Sequence, residues 1–171
     1  LDYGRDEDHP IAGLLHDVPE DCGAQHADRL RARFGSAVAA IVEDCTDATA
    51  GDKRAATTPE AKFADWQRRK RAYLAHLAAE PDASLLVSAC DKLHNARAIL
   101  SDLQGDAGIG VFARFSAGRD GTLQYYEALA RIFLQRAATA SPRFGELARE
   151  FDRTVAALHA QAGAPERQAL A

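Results

Sequence analysis

The chain of 171 residues is 47% hydrophobic and 27% charged, which suits one globular domain with a single core. Its 25 acidic residues outnumber its 21 basic residues and give a formal net charge of −4. We therefore expect neither DNA nor RNA as a partner, and no attachment to an anionic membrane surface, because each of these needs excess positive charge. No stretch approaches the roughly 18 uninterrupted apolar residues of a bilayer span, so no transmembrane segment is predicted.

Cysteine usage and the first residue give two further expectations. Cys22, Cys45 and Cys90 form no Cys-x-x-Cys pair and are widely spaced, which favours a reducing, cytoplasmic location over a disulfide framework. The chain begins with Leu1 and contains no methionine. We expect a natural N-terminal segment, with one or more helices, to precede it.

An all-α fold is predicted, because alanine makes up about a fifth of the residues and no Asn-Gly hairpin signal is present. The apolar periodicity and its breaks predict about eight helices. They cover residues 10–17, 25–33, 36–44, 60–79, 83–103, 108–115, 122–139 and 143–160. We expect a single domain over residues 1–160 and a frayed tail over residues 161–171.

A dense polar cluster follows the apolar face of the first helix. It consists of one imidazole and three carboxylates, those of His16, Asp17, Glu20 and Asp21. Carboxylates this close repel one another and a divalent cation relieves the repulsion, so the cluster indicates either a metal site or a solvated acidic helix end. Gly13 leaves room beside it for a bound group. Pro19 should end or kink the helix near residues 15–17 and place Glu20 and Asp21 on a new turn.

The helix predicted over residues 83–103 is apolar around most of its circumference, which is typical of a helix surrounded by protein. Asp91 and Asn95 lie one turn apart on this helix. A carboxylate in such surroundings needs a partner. Lys92 or Arg97 would satisfy it as an ion-pair partner, and a bound metal ion is the alternative.

Lys70 lies in the middle of an apolar stripe on the helix predicted over residues 60–79. The stripe comprises Phe63, Trp66, Tyr73 and Leu77. A lysine in this position either extends its amine to water or meets an anion. Because Arg69 lies beside it, phosphate binding and a solvated basic face are both open.

Two segments of the sequence resemble the HD-domain metal phosphohydrolases. They are Leu14-Leu15-His16-Asp17-Val18-Pro19-Glu20-Asp21 and Asp91-Lys92-Leu93-His94-Asn95-Ala96-Arg97. Further similarity lies in residues 33–35, 41–47, 66–74 and 115–126, so the resemblance extends from about Asp8 to Phe133. The pattern is most similar to the hydrolase domain of RelA/SpoT-type (p)ppGpp enzymes and their small stand-alone relatives.

The resemblance implies a helical HD-domain bundle that holds a divalent metal, usually manganese in this branch. His16, Asp17 and Asp91 would be ligands, together with a further histidine on a preceding helix, which we expect in the missing N-terminal segment. Other divalent metals remain open, because a set of oxygen and imidazole ligands also accepts magnesium, zinc or iron. In the same resemblance Glu20 and Asp21 orient or deprotonate the attacking water.

The resemblance also implies residues that contact a nucleotide substrate. Asn95 would hold the nucleotide, Arg69 and Lys70 would reach its phosphates, and Tyr125 would lie against the ribose or the base. The implied reaction is hydrolysis of the 3′-pyrophosphate of (p)ppGpp or a related nucleotide, with release of pyrophosphate. The alternatives are another nucleotide phosphohydrolase of the HD superfamily and a catalytically silent module that binds a nucleotide to regulate a partner. A homo-oligomer is compatible with the sequence.

Overall fold

The computed structural model describes residues 7–46 and 58–170, without the side chains of Glu20, Asp21 and Ala24. This described part contains seven α-helices, two short 3₁₀ helices and no β-strand, so the predicted all-α fold is confirmed. The α-helices are α1 (Asp8–Leu15), α2 (Val18–Cys22), α3 (Ala27–Cys45), α4 (Pro59–Leu77), α5 (Asp82–Gln104), α6 (Gly118–Arg136) and α7 (Pro142–Gln161). The 3₁₀ helices span Ala24–His26 and Gly108–Arg114. None of the described helices is long and apolar enough to cross a membrane.

The helix boundaries near the N-terminus follow from one proline and one glycine. As predicted, α1 ends at Leu15, and α2 begins at Val18 with Pro19 in its first turn. The two helices predicted over residues 25–33 and 36–44 are instead the two halves of α3, which kinks at Gly35 (φ 91°, ψ 169°). The turn between α1 and α2 carries His16 and Asp17 of the polar cluster, and α2 carries Glu20 and Asp21.

Helix α5 lies at the centre of the fold, as its apolar circumference predicts. It packs against α1, α3, α7 and the 3₁₀ helix Gly108–Arg114. Most of its apolar residues join a large cluster with α4, α6 and α7. Val87 instead joins a smaller cluster formed with α1 and α3. Because Asp91 follows Val87 by one helical turn, its side chain is directed towards α1 as well.

The end of the chain packs onto α6 and α7 in place of the frayed tail expected from the sequence. Arg167 Nε donates to Glu127 Oε2 at 2.6 Å, and its guanidinium also pairs with Asp152. Glu127 is only 4% exposed, so this buried carboxylate requires a cationic partner. The backbone N–H of Leu170 donates to the carbonyl of Gln124 at 2.9 Å, and the Leu170 side chain is buried.

Gly35→Ala should lower the free energy of unfolding by about 1–3 kcal/mol, because its backbone conformation is open essentially to glycine alone. A Cβ atom at Gly35 would meet no atom within 4 Å, so the cost is backbone strain. Gly13→Ala is the matched control, since Gly13 lies within α1 with equally open surroundings. This control should leave stability unchanged or raise it by up to about 1 kcal/mol. Urea unfolding measures both changes, and equal values for the two variants would contradict the explanation.

Candidate metal centre

The predicted metal ligands come from the end of α1 and the middle of α5. His16 directly follows the last residue of α1, and Asp17 directly precedes α2. Because α1 stops at Leu15, these two residues lie in a turn, and their side chains contact each other. Asp91 belongs to α5, which packs against α1. The structure therefore brings Asp91 next to His16 and Asp17, from which it is distant in the sequence.

The imidazole of His16 lies against both carboxylates. Its Nε2 atom is 3.1 Å from Asp17 Oδ1 and 3.1 Å from Asp91 Oδ1. The side chains of His16 and Asp91 are 19% and 13% exposed, whereas that of Asp17 is 64% exposed, so solvent reaches the group from the Asp17 side. The other ring nitrogen, Nδ1, is 2.8 Å from the carbonyl oxygen of Gly13. With both ring nitrogens protonated, Nδ1 donates to that oxygen and Nε2 donates to the carboxylates.

The chemistry of these donors is of a kind that divalent cations accept. Two carboxylates and one imidazole supply oxygen and nitrogen ligand atoms. A hydrogen bond from the second ring nitrogen to a backbone carbonyl is the usual support of a metal-binding imidazole.

The described side chains are not yet arranged around a metal position. Within residues 7–46 and 58–170, no group of three or more His, Cys, Asp or Glu side chains is ready to hold a metal ion. Both carboxylates contact the His16 ring itself. Metal binding by these three residues therefore requires the contacts between the ring and the carboxylates to open.

The carboxylates strongly favour the protonated, positively charged form of His16. The hydrogen bond between His16 and Asp91 raises the pKa of His16 to about 9, although burial opposes this shift. Burial would raise the pKa of Asp91, but hydrogen bonds from His16 and Lys92 hold it well below its usual range. A divalent cation would have to displace the imidazole proton, because a histidine binds metal only in its neutral form.

Lys92, and not Arg97, is the ion-pair partner of Asp91. Lys92 Nζ donates to Asp91 Oδ2 at 2.8 Å, while Asn95 Nδ2 donates to Oδ1 at 3.0 Å. Arg97 instead pairs with Glu150 on α7. Both oxygens of Asp91 thus have partners in the protein, and Oδ1 is the atom nearest to His16.

The three residues line a cavity of about 620 Å³, a volume typical of sites for small organic ligands. Gly13 and Leu14 of α1 form one side, and Val87 and Asn95 of α5 form the other. A Cβ atom added at Gly13 would meet no atom within 4 Å, so the glycine leaves this side of the cavity open. Leu14 is 85% exposed and adds an apolar surface to the lining of the cavity.

Sequence reasoning did not assign His9, Cys90 and His94, which also line the cavity. The signal was their helical spacing from the predicted ligands. His9 precedes His16 by two turns of α1, and His94 follows Asp91 by about one turn of α5. Two turns separate His9 from His16 by about 10 Å along the helix axis, which argues against both histidines binding one metal ion.

The other predicted contacts with substrate lie outside the lining of this cavity. Arg69 Nε donates to Asp65 Oδ2 at 3.1 Å, and Lys70 Nζ is 4.7 Å from the centre of the Tyr125 ring. Tyr125 itself is 6% exposed. The side chains of Glu20 and Asp21, predicted to handle water, lie outside the described part of the structure.

The sequence profile of the HD domain family matches residues 1–123. This range includes the helices α1 to α5 and the three residues His16, Asp17 and Asp91. The chain therefore belongs to the HD domain family, whose members are generally metal-dependent hydrolases. No match was found among curated proteins.

Asp91→Ala should abolish binding of a divalent metal, because it removes a predicted ligand oxygen and leaves the largely buried Lys92 without its ion-pair partner. Equilibrium dialysis against Mn²⁺, followed by elemental analysis, measures the metal bound per chain. Asp102→Ala is the control, since Asp102 is also on α5 but pairs with Arg114 in a more exposed position. The control should bind as much metal as the unaltered chain. A full equivalent of metal on Asp91→Ala would show that Asp91 is not a ligand.

Proposed function

We propose that this protein is a metal-dependent hydrolase that removes the 3′-pyrophosphate of (p)ppGpp or a closely related nucleotide. The observation that carries the proposal is the contact of His16 Nε2 with both Asp17 and Asp91 beside a cavity of about 620 Å³. Membership of the HD domain family supports metal-dependent hydrolysis. The resemblance of residues 14–21 and 91–97 to RelA/SpoT-type hydrolases supports the choice of substrate.

His16, Asp17 and Asp91 would hold the metal ion. Two carboxylates and one imidazole form an oxygen-rich set, for which manganese is our first choice among divalent metals. When bound, such an ion lowers the pKa of water and neutralises phosphate charge. Asp17 is the most exposed of the three ligands, so water and substrate would approach from its side.

Glu20 and Asp21 would orient the attacking water and accept its proton. Both lie on α2, which begins directly after Asp17, so the short helix keeps them near the ligands. The water oxygen would attack the phosphorus bonded to the ribose 3′ oxygen, and the bond between that phosphorus and that oxygen would break. The 3′ oxygen leaves with a proton, and the products are pyrophosphate and GDP or GTP.

The substrate would be positioned by residues from three helices. The amide of Asn95 lines the cavity and would hold the nucleotide. Arg69 and Lys70 on α4 would neutralise phosphate charge, for which Arg69 must exchange its present partner Asp65. Tyr125 on α6 lies against the Lys70 amine and would contact the ribose or the base of the substrate.

A catalytically silent nucleotide-binding module is the second candidate. The observation that favours it is that no described group of three side chains is ready to hold a metal ion. The complete pairing of Asp91 with His16, Lys92 and Asn95 would also stabilise the fold without any metal.

A substrate panel with and without Mn²⁺ tests the proposal. The panel contains ppGpp, pppGpp, a nucleoside with a single 3′-phosphate, and GTP. We expect Mn²⁺-dependent release of pyrophosphate from the first two and little release of orthophosphate from any of the four. Orthophosphate as the main product would favour another HD phosphohydrolase. Binding of ppGpp without turnover at saturating Mn²⁺ would favour the silent module.

Glu20→Gln combined with Asp21→Asn should lower kcat by about 10²-fold or more, because the amides no longer accept a proton from water. Metal content and KM should change little, since neither residue is assigned to the metal or the nucleotide. Steady-state kinetics and metal analysis of the double variant measure all three quantities. An unchanged kcat would remove both residues from the mechanism.

Lys70→Met should raise KM by roughly 10- to 100-fold, because a charge-assisted contact with phosphate contributes about 1.5–3 kcal/mol. Lys62→Met is the matched control, since Lys62 is an exposed lysine on the same helix. The control should keep the KM of the unaltered enzyme. If both variants keep KM within about twofold, Lys70 does not contact phosphate.

A further inference from the structure

Lys92 joins the candidate metal centre to the interior of the fold. Its Nζ atom is 2.8 Å from Asp91 Oδ2 and 5.3 Å from the centre of the Tyr73 ring, and its side chain is 15% exposed. The two oxygens of Asp91 have different partners: Lys92 contacts Oδ2, whereas His16 and Asn95 contact Oδ1. Metal binding through Oδ1 would therefore leave the ion pair between Lys92 and Asp91 intact.

We propose that Lys92 is a built-in counter-ion of this site, which stabilises the metal-free carboxylates and thereby weakens the binding of a divalent metal. The inference rests on the proposed function, because it takes His16, Asp17 and Asp91 as the ligands. It adds a residue that touches neither the metal nor the substrate and acts through Asp91.

The charges around Asp91 give the direction of the effect. Asp17 and Asp91 each carry a negative charge, and Lys92 offsets one of them. An arriving divalent ion therefore meets a less negative site than the two carboxylates alone would provide. Because Lys92 is largely buried beside Tyr73, water and salt screen its charge only weakly.

Replacing Lys92 with a neutral residue would change the metal-free and metal-bound proteins unequally. In the metal-free protein it would leave the largely buried Asp91 without one of its cationic partners, which destabilises the fold. In the metal-bound protein the ion itself would supply that charge, and the repulsion between ion and ammonium group would be absent. The metal-free state thus becomes less stable, and the metal-bound state loses a repulsion. Both changes increase the affinity of the altered protein for metal.

A purely structural role for Lys92 would change metal affinity in the opposite direction. If Lys92 only held Asp91 in its orientation, its loss would disorder a ligand and weaken metal binding. The sign of the change in affinity therefore separates a counter-ion from a residue that only supports the fold.

Titration of the full chain with Mn²⁺ tests the proposal, with free Mn²⁺ measured by electron paramagnetic resonance and without substrate present. The variants are Lys92→Met, Lys92→Gln, Lys92→Arg and the exposed control Lys62→Met. We expect Lys92→Met to bind Mn²⁺ about tenfold more tightly or better, and Lys92→Arg and Lys62→Met to stay within about threefold of the unaltered chain. Thermal melting should show a lower Tm for metal-free Lys92→Met and a larger rise in Tm on adding Mn²⁺.

Equal or weaker Mn²⁺ binding by a cooperatively melting Lys92→Met would overturn the proposal. If that variant does not fold, Lys92→Gln decides by the same criterion, since it also removes the charge but keeps a hydrogen-bond donor. If the unaltered chain binds Mn²⁺ and neither neutral variant binds it more tightly, Lys92 is not a counter-ion of this kind, but the proposed function stands. Failure of every protein to bind Mn²⁺ would reject the proposed function itself, and the counter-ion with it.

Discussion

The pairing of one largely buried carboxylate is the interaction on which the site depends. Asp91 lies on α5, the helix that α1, α3 and α7 surround, and its side chain is 13% exposed. A carboxylate in such a position is costly unless cations and hydrogen-bond donors compensate its charge. Lys92 and Asn95 on its own helix provide part of that compensation, and His16 provides the rest from α1. The need for positive charge at Asp91 thus links the stability of the core to the chemistry of the cavity.

The remainder of the fold brings His16 to Asp91 and leaves the cavity beside them open. The end of α1 at Leu15 places His16 and Asp17 in a turn, and the cluster that includes Val87 holds α1 and α3 against α5. On the opposite side of α5, aromatic contacts fix α6 and α7. Phe133 lies 5.0 Å from Phe151 and 6.2 Å from Phe144 between ring centres, and both pairs are nearly perpendicular. Helix α5 packs on α7 on this side, and the cavity lies between α5 and α1.

Much of this arrangement could be predicted from the sequence, because it depends on local chemistry. A proline that ends a helix and an apolar circumference that requires burial are both local, and they identified the turn at His16 and the central helix α5. The partner of Asp91 was not predictable, because Lys92 and Arg97 are both near it on α5. The choice depends on Glu150 of α7, which pairs with Arg97 and is distant in the sequence. The packed tail escaped prediction for the same reason, since Arg167 is held by Glu127 on α6.

We expect His16, Asp17 and Asp91 to form one divalent metal site. The most direct measurement is X-ray diffraction from crystals grown with Mn²⁺, with anomalous difference maps calculated from data collected near the manganese absorption edge. We expect a single strong peak in contact with His16 Nε2 and with carboxylate oxygens of Asp17 and Asp91. The present contacts between the ring and the carboxylates should then have opened. A peak bound elsewhere, or no peak at saturating Mn²⁺ with the three side chains still in mutual contact, would show that these residues do not form a metal site.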